Sequence, residues 1–280
     1  MSEPILKISD LHYSYGTGHP ALKGVSVEIF KGEKIAVIGS NGSGKSTFFL
    51  NANGVLKADH GEISYQGNVI NKKNLKELRK NIGIVFQDAD NQIIASTVMA
   101  EVGFGPMNLK LPREEVLRRV DEALTTMNIL DLKDRPPHYL SGGEKKRVTI
   151  ADIIAMKSEV IIFDEPTAAL DPLNAQMLEE VLVKLGAEGK TMLISTHDVD
   201  FAYRWAERAI VFNQGKIIAD GTPLEIFQNR AILKQANLKR PAMLDVYEML
   251  VEKKMVKNTN DYPTSPEELK ILLEKQVTLS

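Results

Sequence analysis

The segment Gly39-Ser40-Asn41-Gly42-Ser43-Gly44-Lys45-Ser46-Thr47 has the spacing G-x-x-x-x-G-K-[ST]. Glycines at these intervals let the backbone wrap closely, so that several N–H groups face a polyphosphate. Lys45 supplies a mobile cation for the terminal phosphates, and the Ser46 hydroxyl is a ligand for Mg²⁺. The apolar run Ile35–Ile38 before the loop reads as a buried strand. Lys45–Asn51 after it reads as a helix whose N-terminal dipole faces the anion. The plain alternative is a glycine-rich surface turn, which has no need of Lys-Ser in register at its end.

Outward from this loop, residues 4–30 alternate apolar and polar side chains, a strand pattern broken by the turn Tyr15–Gly18. Gly61–Gly67 is a further short strand. Asn74–Asn81 is a charged helix leading into the buried strand Ile82–Phe86. From about 88 to 156 the pattern is helical, with Val116, Leu117, Val120, Leu124 and Met127 on one face of Arg113–Met127 and a new helix starting at Ser141. Strands return at Val160–Phe163, Thr191–Ser195, Ala209–Asn213 and Lys216–Ala219, separated by the helices Asn174–Leu185 and Val199–Glu207. This rhythm predicts an α/β fold with a largely parallel sheet. Past about Gln228 only helical patterns remain, at Met243–Val251 and Pro266–Lys275, around the polar loop Asn258–Ser265. The domain reading is therefore 1–230 for a nucleotide-binding domain and 231–280 for a small C-terminal extension.

Composition narrows the classes. A chain of 280 residues with 43% hydrophobic and 26% charged side chains suits a soluble globular protein with room for a second unit. The net charge of −2 argues against a general nucleic-acid partner, and the absence of cysteine removes disulfide and thiol chemistry. Met1-Ser2-Glu3-Pro4 is not the start of a secretion signal, and no apolar run reaches membrane-spanning length. The chain is expected to reach a membrane only by docking on another protein.

In Val160-Ile161-Ile162-Phe163-Asp164-Glu165-Pro166 a buried strand releases two acids at its C-terminal end, the edge where open α/β sheets bind ligands. Asp164 there can hold Mg²⁺, and Glu165 can polarise a water attacking the γ-phosphate. A solvated turn is the plain reading of the pair alone. Leu140-Ser141-Gly142-Gly143-Glu144 then makes the resemblance specific: the chain resembles the nucleotide-binding subunit of ATP-binding cassette (ABC) transporters. The resemblance implies the fold of a P-loop NTPase, with a RecA-like mixed sheet, an N-terminal antiparallel β subdomain and a helical signature subdomain.

The resemblance implies that Ser141, Gly142 and Gly143 face an ATP held by a second ATPase subunit, identical or related. Glu144 stands where glutamine is frequent. It also completes an S-x-x-E capping box with Ser141, its charge offset by Lys145, Lys146 and Arg147. By the same resemblance Gln87 senses Mg²⁺ and the attacking water, Asp171 lies on the loop crossing the dimer interface, and His197 is the switch histidine. A histidine after a strand is otherwise commonly a structural hydrogen-bonding residue. For adenine stacking the candidate is Tyr15, with Tyr13 the alternative.

The stretch Asp88–Val98 and the run Phe104-Gly105-Pro106-Met107-Asn108-Leu109 are similar to the ATPases of energy-coupling-factor importers, including the cobalt and nickel type. That branch implies a transmembrane coupling subunit and a substrate-binding membrane subunit, and a peripheral location on the cytoplasmic face of the membrane. Ile93, Ile94 and Val98 are read as a groove for the coupling subunit, or else as core of the helical subdomain. The implied cargo is cobalt, then nickel, then a vitamin. A different ABC importer, a soluble ABC ATPase and a non-hydrolysing nucleotide-gated scaffold are the rival readings. The C-terminal extension is expected to help pair the two ATPases.

Overall fold

Among the described residues ten strands run in chain order: β1 (Leu6–Ser14), β2 (Pro20–Ile29), β3 (Lys34–Ile38), β4 (His60–Tyr65), β5 (Asn68–Val69), β6 (Ile82–Val85), β7 (Val160–Asp164), β8 (Thr191–Ser195), β9 (Arg208–Asn213) and β10 (Lys216–Gly221). The computed structural model describes residues 3–16, 18–168, 170–259 and 261–277. They fall into two units, one formed by residues up to 33 with 46–195, the other by 34–45 with residues from 196 onward.

In the first unit the alternating segment becomes the hairpin β1–β2, with Leu6 opposite Ile29 and Ile8 opposite Val27. A register shift between Ile8 and Leu11, where Asp10 takes φ +49°, accompanies the burial of Leu6, Ile8 and Leu11 alike. An inserted residue resets the two-residue period in this way. β4 and β5 extend the antiparallel sheet in the order β2-β1-β4-β5. β6, β7 and β8 run parallel, Ile82 opposite Val160 and Val160 opposite Thr191, and every residue in them is buried. Continuous apolar runs of this kind are what a parallel strand covered on both faces requires.

Three α-helices occupy 98–156: Val98–Asn108, Arg113–Thr126 and Gly142–Met156. In the middle one Val116, Val120, Ala123 and Leu124 are buried, but Leu117 is exposed, contrary to the one-face reading. At about 100° per residue Leu117 lies about 20° beyond Leu124, at the edge of the buried stripe. Val98 is fully buried, so it belongs to the subdomain core, while Ile94 is 72% exposed.

In the second unit β3 runs parallel to β9, Ile35 opposite Arg208, and β10 pairs antiparallel with β9. Helices follow at Val199–Trp205, Pro223–Gln228, Arg230–Ala236, Ala242–Glu252 and Pro266–Val277. Ile38, Ala202, Val211, Phe227, Leu233 and Leu244 form one apolar cluster, so the segment read as an extension shares its core with the strands beside the loop. The helix Pro223–Gln228 lies outside the helices read from periodicity, although Thr222 and Glu225 make a full capping box at its start.

Candidate functional site

In the second unit β3 delivers Gly39 in a conformation with φ +147°, where a Cβ would stand 2.3 Å from the carbonyl oxygen of Phe212. Only glycine fits this approach. Gly42 and Gly44 also take positive φ, +73° and +111°. The Ser43 N–H closes on the Ser40 carbonyl at 3.2 Å, and Gly215 N–H holds the Ser43 carbonyl at 2.8 Å. Lys45 is buried, and its Nζ donates to the carbonyls of Gly39 at 2.9 Å and Ser40 at 3.2 Å. The buried Ser43 Oγ has no hydrogen-bond partner among the described residues, which fits a loop shaped for an anion. Asn41 is exposed at the tip of the loop. Farther along the same unit, Asp198 N–H bonds Thr196 Oγ1 at 3.0 Å, and the Asp198 carboxylate caps Val199–Trp205 by accepting from Phe201 N–H. These two bonds fix the turn that presents His197 at the surface.

In the first unit Ser46 is exposed and Thr47 buried in the first turn of the helix Lys45–Ala52. Tyr15 Oη lies 3.3 Å from Thr47 Oγ1, and Tyr13 meets the Tyr15 ring edge-on at 5.0 Å. Tyr15 is thus the half-exposed ring tied to the end of the phosphate motif. At the end of β7, the Ser195 hydroxyl from β8 donates to Asp164 Oδ1 at 2.6 Å and accepts from Glu165 N–H at 2.8 Å. One buried hydroxyl therefore aligns both acids. Glu165 itself takes φ +46°, an uncommon backbone for a non-glycine residue. The hydroxyl of Ser46 and the carboxylate of Asp164 are hard oxygen donors of the kind Mg²⁺ takes.

Ser141 is the N-cap of Gly142–Met156, and its hydroxyl accepts from Glu144 N–H at 3.3 Å. Glu144 Oε2 accepts in return from Ser141 N–H at 2.7 Å and Ser141 Oγ at 2.8 Å. These bonds hold the Glu144 carboxyl below its ordinary range. The neighbouring cations have other work than offsetting that charge: Lys145 pairs with Asp90 at 2.7 Å, and Lys146 turns inward to the carbonyls of Phe86 and Gln87. Arg147 does contribute to the Glu144 shift, with Arg135. Asp171 caps Pro172–Ala187 and grips Asn174 through its N–H at 2.9 Å and its side-chain amide at 2.6 Å. A Cβ on Gly143 would reach the same Asn174 amide at 3.2 Å, so the signature turn and the Asp171 loop abut within the chain. Gln87 is exposed just beyond β6. Beyond it Ile94 is exposed, and Phe104 and Met107 are half exposed one turn apart on Val98–Asn108.

Ser195, Lys146 and Asn174 were not singled out from the sequence as site residues. Lys146 left a trace there, being a charged residue in register with Ile150 and Ile153 on a helix face that is otherwise apolar.

A strand–loop–helix phosphate cradle, an aspartate–glutamate pair ending a parallel strand and a capped Ser-Gly-Gly helix define a P-loop ATPase. The family model for ABC transporters matches residues 22–168, and the chain belongs to that family. It is 46% identical over 248 residues to the energy-coupling factor transporter ATP-binding protein EcfA of Methanothermobacter thermautotrophicus, covering 88% of this chain and 80% of that one. The structure of cbiO1 from Clostridium perfringens, part of the ABC transporter complex cbiONQ, matches at TM-score 0.73 and 42% identity, over 90% of this chain and 100% of that one. A bacterial ABC transporter cassette determined as a dimer matches at TM-score 0.71 and 30% identity, over 78% of this chain and 98% of that one. The share of the curated relatives' own lengths that the chain spans runs from 58% to 90%. Among the described residues no helix is long and apolar enough to cross a membrane.

Proposed function

We propose that the chain is the ATP-hydrolysing subunit of an energy-coupling-factor importer, acting as one of a pair on the cytoplasmic side of a membrane complex. The observation that carries this reading is the segment after β6. It begins at Gln87, bonds to the signature helix, and then exposes the apolar side chains of Ile94, Phe104 and Met107, which suit a helix of a transmembrane coupling subunit. The 46% identity to EcfA and the match to a member of the cbiONQ complex support the same branch.

In this reading the N–H groups of Gly42–Lys45 and the Lys45 ammonium take the β- and γ-phosphates of ATP. Lys45 exchanges its carbonyl partners on Gly39 and Ser40 for phosphate oxygens. Ser46 and Asp164, with Gln87, would hold Mg²⁺, which would supply neutralisation of the phosphate charge. Glu165 accepts a proton from the attacking water, and His197 donates to the γ-phosphate. Tyr15 stacks on the adenine. Ser141, Gly142 and Gly143 of a second copy cap that γ-phosphate with the positive end of their helix, and Asp171 lies at the junction of the copies. The γ-phosphate thus bridges two chains, and its cleavage lets them part. Residues 231–280 help to hold the pair together. The cargo assigned by resemblance is cobalt, with nickel or a vitamin as the alternatives; a separate membrane subunit binds it.

The test is Glu165→Gln. Turnover is expected to fall by about 10²–10⁴-fold while ATP binding persists. Light scattering should show the variant collecting as a dimer when ATP is added. Unchanged turnover, or a fully active monomer, refutes the reading. Uptake assays with labelled cobalt, nickel and vitamins on the reconstituted complex separate the cargoes.

A further inference from the structure

The segment after β6 is strapped to the signature helix at three points. Lys146, only 3% exposed, donates from Nζ to the carbonyls of Phe86 at 2.6 Å and Gln87 at 3.0 Å. Gln92 accepts from Phe86 N–H at 3.1 Å and donates to the Thr149 carbonyl at 3.4 Å. Lys145 reaches Asp90 at 2.7 Å. Residues 145, 146 and 149 of one helix thereby hold positions 86–92.

Among these straps Lys146 is the one that costs most to keep. Burial opposes its charge and lowers its pKa to about 8, against the pull of Asp164, Asp88 and Glu165. A leucine or methionine would fill the same space without that penalty. The ammonium supplies something an apolar side chain lacks, namely donors for two carbonyls at the point where β6 ends and its ladder stops. One of those carbonyls belongs to Gln87 itself, and the helix holding the ammonium starts five residues earlier at Ser141.

We propose that Lys146 is a positioning residue that fixes Gln87 to the signature helix, so that engagement of Ser141 with the nucleotide of a second copy shifts Gln87 in its own chain. The two nucleotide sites of a pair are then linked mechanically through each chain. Seating the signature helix of one copy sets the glutamine that serves the other site. The proposal rests on the paired-ATPase reading above.

The test uses the purified full chain with Mg²⁺ and ATP. Lys146→Met keeps the aliphatic stem and removes both bonds. Its kcat is expected to fall about tenfold or more, with KM for ATP within about threefold, as befits two lost charge-assisted bonds. Amides of 87–92 should exchange with deuterium about tenfold faster, while those of the helix Gly142–Met156 keep their protection. Lys146→Arg, which retains a cation with several N–H donors, should recover kcat to within about threefold of the parent. A Met variant with parental kcat and parental exchange over 87–92 overturns the proposal, and so does an Arg variant with no recovery. Should the Met variant not fold, the parent chain decides. Residues 86–92 and 141–149 must gain protection at one common ATP midpoint, and two separate midpoints overturn the linkage. A parent chain that hydrolyses ATP no faster than its Glu165→Gln variant strikes the ATPase reading instead.

Discussion

In the phosphate loop, conformation is set by what is absent: Gly39 lies so near the Phe212 carbonyl that no Cβ fits, and Gly42 and Gly44 take angles other residues avoid. At the end of β7 the two acids are held by what another strand adds, the hydroxyl of Ser195. The first region positions backbone dipoles through chain shape, under a close backbone approach from Phe212. The second positions the Asp164 carboxylate and the Glu165 backbone through a hydroxyl 31 residues from Asp164. Disturbance should therefore act differently in the two regions, through shape in the loop and through hydrogen bonding at the strand end.

The sharpest way to break this contrast is Gly39→Ala. A methyl group 2.3 Å from a backbone oxygen must displace the loop, so ATP affinity should fall by about 100-fold or more. An isothermal titration giving parental affinity removes shape from the account of the loop. Ser195→Ala tests the other half. It leaves a buried carboxylate oxygen and the Glu165 N–H without their partner, a loss of about 1–3 kcal/mol, and turnover should drop about ten- to 100-fold. ATP affinity should change by less than about threefold, because the loop is untouched. Equal losses in affinity and turnover would merge the two regions into one.

A smaller effect is expected at Asp152, a carboxyl buried without the support that Asp164 enjoys. Its Oδ1 has no partner among the described residues. Burial, with Glu101 adding repulsion, raises its pKa from 3.8 to about 7, against a bond from Gln92. The folded state holds this proton more tightly than the unfolded chain. Stability from this group is therefore greatest below the unfolded pKa near 4, falls as pH rises, and levels off above about 7. Asp152→Asn should raise the melting temperature by at least about 3 °C at pH 8 and by less at pH 5. Equal shifts at both pH values would show that ionisation plays no part.

Much of this architecture is legible in the chain because local chemistry dictates it. The glycine spacing announces the loop, and unbroken apolar runs mark β6, β7 and β8. Ser141 and Glu144 announce a helix start by mutual capping. Periodicity resolves a buried stripe only coarsely, which is why Leu117 reads with its buried neighbours and Val98 reads either as groove or as subdomain core. The supports of the candidate site were harder to read because each acts across the fold. Ser195 serves Asp164, and Lys146 meets Gln87 59 residues away. Nothing in the local pattern around Ser195 distinguishes it from any serine closing a strand. Asn174 looks like a first-turn helix residue until Gly143 is found beside it.

The left-handed backbone at Glu165 has a consequence for anyone engineering this ATPase. A search for thermostability that scores each position by torsional comfort would favour glycine or asparagine there, since both enter that region readily. If Glu165 takes the water's proton as proposed, the hardened protein would lose that carboxylate and become a nucleotide-loaded clamp that never resets. On that proposal durability and motor action draw on the same residue, and optimising one forfeits the other.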